Sequence, residues 1–88
     1  MSSIIITVGA ITTAVRLGKK LNSLGDVKAS VIHTPTEINK GGCSYSVKTT
    51  LNKLPLVEQI IAENRIKIKK VYVEDIINGE SAYRDLSW

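Results

Sequence analysis

An α+β fold with the element order β-α-β-β-α-β is the fold class that this 88-residue sequence predicts. A run of β-branched residues stands near the amino terminus, and two later stretches space their apolar residues by three and four. Three further stretches alternate polar and apolar residues, which is typical of strands with one buried face. The length allows one domain, and 43% hydrophobic with 23% charged residues is ordinary for a soluble globular chain.

The first half of the chain predicts a strand, a helix and a second strand. Residues 3–8 are a short β-branched run that suits a central strand, and Gly9 ends it. Residues 11–24 have the spacing of an amphipathic helix, with a glycine following at the usual position after a helix. Residues 27–33 alternate, and Thr34-Pro35 ends this strand because proline donates no ladder hydrogen bond.

The second half predicts a strand, a helix and a last strand. Residues 44–49 alternate, and Pro55 suits the first turn of a helix that extends to about Asn64. Residues 66–73 form the fourth strand, whose phase shifts after Ile68 and so predicts a bulge or an early end. The predicted core is a set of alternating or helix-spaced aliphatic residues: Ile4, Ile6, Val8, Val15, Leu21, Val31, Val47, Val57, Ile60, Ile61 and Val71.

Together these elements predict a ferredoxin-like split sandwich, in which a four-stranded antiparallel sheet carries two helices on one face. This domain takes up residues 1–73, and residues 74–88 form a carboxyl-terminal tail or short helix that packs on the body. No apolar run approaches the ~20 residues that cross a bilayer, and the first residues lack a basic leader, so we expect a cytoplasmic protein with no membrane contact.

The net charge of +4 raises the question of nucleic acid as a partner. RNA-recognition domains share the predicted topology but read bases by stacking them on sheet aromatics. This chain has no Phe, and only Tyr45 and Tyr72 are expected in strands. The basic residues 65–70 are sufficiently explained as a solvent-facing strand surface that discourages edge pairing. The sequence therefore does not favour nucleic-acid binding.

The segment from Thr34 to Ser46 holds the only cysteine, Cys43, directly after Gly41 and Gly42. With no second cysteine to pair with, the thiol is buried filler, a metal ligand or a reactive sulfur. Glycines let backbone N–H groups turn toward a nearby anion, and Lys40 would favour the thiolate. The residue types thus leave a reactive Cys43 and a structural one both open.

Other chemistry has weaker support. His33 could approach Cys43 as an activating base, although no third orienting group is identified. One Cys and one His, with Glu37 nearby, fall short of a zinc site, so we expect no metal unless a dimer shares one. Four carboxylates fall at helix or tail positions expected to be solvated and unpaired, which gives no acid–base arrangement: Glu58, Glu63, Glu74 and Asp75.

The chain resembles a family of small bacterial selenium/sulfur carrier-like proteins. The residues that carry the likeness are the runs Ile5-Ile6-Thr7-Val8-Gly9, His33-Thr34-Pro35-Thr36-Glu37-Ile38 and Gly41-Gly42-Cys43, then Tyr45-Ser46-Val47 and the closing pattern of residues 57–72. The resemblance implies that Cys43 holds a persulfide or perselenide and passes it on. A glycine commonly follows the cysteine in this family, whereas this chain has Ser44, whose hydroxyl could donate to the sulfur.

The leading interpretation is therefore a carrier with a reactive thiol rather than an enzyme that turns over substrate, with no cofactor. Its partners would be a sulfur or selenium donor protein and an acceptor protein. Lys40, Gly41, Gly42 and Ser44 would support the Cys43 thiolate, with His33, Thr34 and Glu37 as further candidates. The alternative is a small cytosolic interaction or regulatory module with a structural cysteine. The choice of sulfur or selenium and the oligomeric state, including a dimer, stay open.

Overall fold

The structure is a computed structural model that describes residues 2–39, 41–42 and 44–86. Within these residues, five strands and two α-helices follow one another, with a 3₁₀ turn at Leu51–Lys53 before the second helix. The elements are β1 Ser3–Val8, α1 Ile11–Asn22, β2 Ser30–His33, β3 Tyr45–Thr50, α2 Leu54–Asn64, β4 Lys70–Ile77 and β5 Glu80–Asp85. Neither helix in this part of the chain is long and apolar enough to cross a membrane.

All five strands form one antiparallel sheet in the order β2-β3-β1-β4-β5. The predicted α+β class, the two helices and the antiparallel sheet are confirmed. The predicted number of four strands is wrong, because β5 pairs with β4 along its whole length. β1 lies at the centre of the sheet, which fits its uninterrupted β-branched sequence.

The fifth strand follows a two-residue turn that sequence reasoning overlooked. Ile77 pairs with Glu80, and the intervening Asn78 and Gly79 have φ angles of 52° and 80°. Positive φ at both central residues is the type I′ hairpin turn, and Asn-Gly is its strongest sequence signal. Within the stretch predicted as a tail or short helix, Glu74–Ile77 are therefore the end of β4 and Glu80–Asp85 are the strand β5, while residues 87–88 lie outside the described residues.

The fourth strand begins later than predicted and contains no bulge. Ile66 is buried in the core, but residues 66–69 are not part of the sheet. β4 begins at Lys70, and its register with β1 is unbroken from there to Glu74. The phase shift seen in the sequence thus marks the passage from a loop into the strand.

The main core lies between the two helices and one face of the sheet. Alternate residues of β1, namely Ile4, Ile6 and Val8, belong to it, and both helices contribute to it. Two predicted core residues are wrong: Val15 is 38% exposed and Val31 is 39% exposed. Val15 lies on the outer side of α1, and Val31 lies on the edge strand β2, where no neighbouring strand covers it.

The second strand is also shorter than the predicted residues 27–33. Val27 is buried in the core as expected, but the ladder with β3 includes only Ser30 to His33. Just before this ladder, the side-chain amide of Asn22 donates to the carbonyl oxygen of Ala29 and accepts a hydrogen bond from the N–H of Ala29. Both backbone polar groups of Ala29 therefore have a side chain as their hydrogen-bond partner.

Candidate functional site

The loop between β2 and β3, residues 34–44, is closed at its base by two hydrogen bonds. The backbone N–H of Thr34 donates to the carbonyl oxygen of Ser44 at 2.9 Å. The hydroxyls of Thr34 and Ser46 are 2.6 Å apart, and both residues are buried. Thr34, a candidate site residue, therefore holds the two ends of the loop together.

The first part of the loop folds onto the sheet face that points away from the helices. The N–H of Ile38 donates to the carbonyl of Pro35 at 3.0 Å, and Ile38 is buried although it is not part of the main core. Ile5 of β1 points to the same outer face, and it is fully buried as well. Burial raises the pKa of Tyr83 in β5 most, a hydrogen bond to Glu74 raises it as well, and the negative charge of Glu37 adds a smaller rise, so Glu37 lies within electrostatic reach of β5. The loop thus covers part of this outer face.

The second part of the loop is exposed and depends on its two glycines. Gly41 and Gly42 have φ angles of 68° and 82°, in the left-handed region that other residues rarely adopt. A Cβ on either glycine would meet nothing within 4 Å, so the backbone conformation and not crowding requires glycine. Neither glycine N–H donates a hydrogen bond to another residue that the structure describes.

Cys43 and Lys40 lie outside the described residues, so the position of the sulfur and of the nearby ammonium stays a prediction. The neighbours of Cys43 on both sides are described. The N–H of Ser44 donates to the carbonyl of Gly42 at 2.9 Å, and both residues are exposed. The residues on either side of the cysteine therefore lie at the surface.

His33 and Glu37, the two other titratable candidates, have partners of their own. The His33 ring lies on the ring of Tyr45, with centroids 4.9 Å apart and a tilt of 36°. Glu37 accepts a hydrogen bond from the Thr36 hydroxyl at 3.1 Å. Within residues 2–39, 41–42 and 44–86, no three His, Cys, Asp or Glu side chains come together as a metal site.

One buried charged group was missed by sequence reasoning. Glu74, expected to be solvated, is only 8% exposed and lies in β4. Lys48 Nζ of β3 is 2.8 Å from Glu74 Oε1, reaching over the central strand between them. Burial by itself raises the pKa of Glu74, but hydrogen bonds from Lys48, Tyr83 and Ser81 and the Lys48 charge outweigh it, and the pKa is lowered.

The signal for this pairing was present in the sequence. Recognising the Asn78-Gly79 turn would have extended β4 through Glu74 and placed Tyr83 opposite it on β5. Asp75, also expected to be solvated, accepts a hydrogen bond from the hydroxyl of Ser2. Glu74 therefore links β4 to β3 and β5, and Asp75 links β4 to the residue before β1.

A comparison with protein families gave one match. The sequence model of the family described as "Putative Se/S carrier protein-like" matches residues 3–73, which include the whole loop and end within β4. No curated protein and no solved structure matched the chain.

Proposed function

The chain belongs to the Se/S carrier protein-like family, and from this premise we propose that Cys43 carries a sulfur or selenium atom from a donor protein to an acceptor protein. The observation that carries the proposal is the family match across the loop that holds the only thiol of the chain. A lone thiol suits a carrier, because no second cysteine is present to release the bound atom by forming an internal disulfide.

The transfer is a thiol–disulfide type of exchange. The Cys43 thiolate attacks the outer sulfur of a donor persulfide, forming a new S–S bond while the bond within the donor breaks. The electron pair of the broken bond leaves with the donor sulfur, which departs as a thiolate. Attack by an acceptor thiolate on the outer sulfur of the Cys43 persulfide repeats the step. A perselenide follows the same scheme, and neither step needs an added oxidant or reductant.

The described part of the loop supports this chemistry in two ways. Gly41 and Gly42 are exposed with N–H groups that have no acceptor among the described residues, so these groups are free to stabilise an anionic sulfur nearby. The base of the loop is rigid, since Thr34 bonds to both Ser44 and Ser46. A fixed base with an exposed tip presents a thiol to a partner without disturbing the sheet.

The scaffold of the proposal is a ferredoxin-like arrangement. The strand order β2-β3-β1-β4 supports this arrangement. So do the two helical connections, since α1 connects β1 to β2 and α2 connects β3 to β4. β5 is then an addition at the β4 edge, and β2 forms the opposite edge of the sheet.

Intact-mass measurement after incubation with a cysteine desulfurase and cysteine, or a selenocysteine lyase and selenocysteine, tests the proposal. Wild-type protein should gain the mass of one sulfur or one selenium atom, and Cys43→Ser should gain none. A reductant should remove the adduct, since a persulfide is reducible. No adduct on the wild type, while an established carrier is loaded in parallel, would refute the relay.

The state of the thiol is tested separately by the rate of iodoacetamide alkylation as a function of pH. Activation by the loop predicts a midpoint below the ~8.5 of an unperturbed thiol. A native thiol that iodoacetamide does not reach would instead favour an interaction or regulatory module with a structural cysteine.

A further inference from the structure

The outer side of α1 carries a groove with an apolar strip and a basic border. The groove has a volume of ≈ 680 Å³, and Ile11 and Val15 supply its exposed apolar side chains. These two residues are 46% and 38% exposed, and they lie one helical turn apart, so that their exposed surfaces adjoin. Arg16, Lys19 and Lys20 line the same groove. We call these five residues the α1 groove.

The charges of the α1 groove are all positive and largely unpaired. Arg16 donates to the carbonyl oxygen of Asn64 at 2.9 Å, and its charge has no counter-ion among the described residues. Lys19 and Lys20 have no acceptor among the described residues. The helix itself contains no Asp or Glu. The groove therefore has a net charge of about +3 around an apolar centre, which complements an acidic surface.

Two contacts show where the α1 groove lies relative to the loop that holds Cys43. At the end of α1, Asn22 bonds to Ala29, and one turn earlier, Val31 Cγ2 lies 3.5 Å from where a Cβ on Gly18 would stand. Later residues of β2 therefore lie beside earlier residues of α1. The first turn of the helix, with Ile11, is thus at the same end of the molecule as His33, after which the loop begins.

We infer that the α1 groove docks a partner protein that presents acidic side chains around one or two apolar ones. Because the first turn of α1 lies at the same end of the molecule as the start of the Cys43 loop, we identify the docked partner as the donor or the acceptor of the carried atom. This last identification rests on the proposed function, whereas the docking itself does not. The apolar strip would supply the buried contact, and the lysines would orient the approach.

The other candidate occupants fit the α1 groove less well. A second copy of this chain would bring Lys19 and Lys20 against like charges, since a two-fold interface places the same patch on both sides. Nucleic acid is bound in single strands by stacking on aromatic side chains, and α1 has none. Two half-exposed aliphatic side chains offer too little apolar area for a membrane surface, because the strongly apolar side of α1 is buried in the core.

Site-directed photo-crosslinking in the cells that make this protein tests the inference. A photoreactive phenylalanine analogue replaces Thr12, which lines the groove, or Glu58 on the exposed side of α2 as the control position. Mass spectrometry identifies the crosslinked segment. The expected product at position 12 is a protein segment rich in Asp and Glu around an apolar residue, and it should be absent at position 58.

Charge variants then decide whether the lysines recognise the partner. Lys19→Glu/Lys20→Glu should abolish the crosslink at position 12, and Lys19→Gln/Lys20→Gln should weaken it. The matched control is Lys28→Glu/Lys67→Glu, which makes the same change in net charge at two exposed lysines that do not line the groove. With the identified partner in purified form, Lys19→Glu/Lys20→Glu should raise Kd about tenfold, and the control variant should not.

Several results would overturn the inference. The first is a crosslink at position 12 that is no stronger than the one at position 58. The second is a crosslink at position 12 to nucleic acid, to lipid or to a second copy of this chain. The third is a crosslink at position 12 that persists in Lys19→Glu/Lys20→Glu. Repeating the experiment with Cys43→Ser separates the two proposals. Docking needs no thiol, so the crosslink should be unchanged in Cys43→Ser. If the wild type crosslinks at position 12 but gains no sulfur or selenium, the docking surface is retained and the relay is rejected.

Discussion

The Asn22 side chain binds both backbone groups of Ala29. Its Nδ2 donates to the Ala29 carbonyl oxygen at 2.9 Å, and its Oδ1 accepts from the Ala29 N–H at 2.8 Å. These are the two bonds that a neighbouring strand would make to Ala29. The pair therefore holds the end of α1 against the backbone that precedes β2.

Asn22→Ala should lower the free energy of unfolding by about 1–2 kcal/mol, because both backbone groups of Ala29 lose their partner. Asn22→Asp should cost less, since its carboxylate still accepts from the N–H. Urea unfolding followed by circular dichroism measures both. Asn39→Ala is the control, because the Asn39 side chain is exposed and unbonded among the described residues. Equal effects of Asn22→Ala and Asn39→Ala would contradict this role.

Val31 and Val47 face each other across β2 and β3 but differ in burial. Val47→Asp should prevent folding, because it buries a charge with no partner. Val31→Asp should cost only about 1 kcal/mol, since a carboxylate at this edge remains hydrated. Thermal unfolding of the two variants gives the comparison. A Val31→Asp protein that fails to fold would show that the edge of the sheet is covered.

The lowered pKa of Glu74 predicts a loss of stability in acid. Its folded pKa lies below the unfolded value of 4.5, so its contribution is complete above that pH and is lost as the pH falls through the folded pKa. The difference in unfolding free energy between wild type and Glu74→Gln should therefore be constant near pH 7 and shrink below pH 4.5. Urea titrations from pH 7 downward measure it.

Glu58→Gln, on the exposed side of α2, is the matched control for Glu74→Gln. The difference in unfolding free energy that shrinks in acid should belong to Glu74→Gln and not to this control. Lys48→Met should lower stability at neutral pH by about 2 kcal/mol, because it leaves a buried carboxylate without its strongest donor. The half-exposed position of Lys48 keeps the figure modest. A pH profile for Glu74→Gln that runs parallel to wild type would refute the assignment.

The Asn78-Gly79 turn sets the register of β4 and β5. Gly79→Ala should lower stability by about 1 kcal/mol, since φ is 80° there although a Cβ would meet nothing within 4 Å. In amide hydrogen exchange, the backbone N–H groups of β5 should exchange faster in this variant, while those of β1 should change little. Glu80→Ala, one residue later at an exposed strand position, provides the comparison. Equal protection of β5 in both variants would argue against a turn that fixes the register.

Gly42→Ala should affect the Cys43 loop more than the fold. The φ of 82° makes the change strained by about 1 kcal/mol, and the loop can relieve this strain by changing shape at the surface. We therefore expect a shifted pH midpoint of Cys43 alkylation with a small change in thermal stability. Gly25→Ala, with φ of 88° in an exposed turn after α1, is the matched control for strain without loop contact. The same pH midpoint of alkylation in wild type, Gly42→Ala and Gly25→Ala would show that Gly42 does not shape the thiol site.

The sequence by itself determined the local elements and the identity of the candidate thiol. β1 at Ser3–Val8 follows from its β-branched run, and α2 from Pro55 and the aliphatic residues after it. The Asn78-Gly79 dipeptide also specified its hairpin, although its meaning was overlooked. Such features depend on neighbours within a few residues, which is why periodicity and turn chemistry reveal them.

Only the tertiary structure decided which of these residues are covered. Val31 has the correct strand phase yet is exposed, because β2 is an edge strand. Glu74 is charged yet buried, because Lys48 reaches it from two strands away and β5 lies beside it. Ile38 is buried because a surface loop folds onto the sheet. Burial depends on contacts between segments distant in sequence, and no local pattern carries that information.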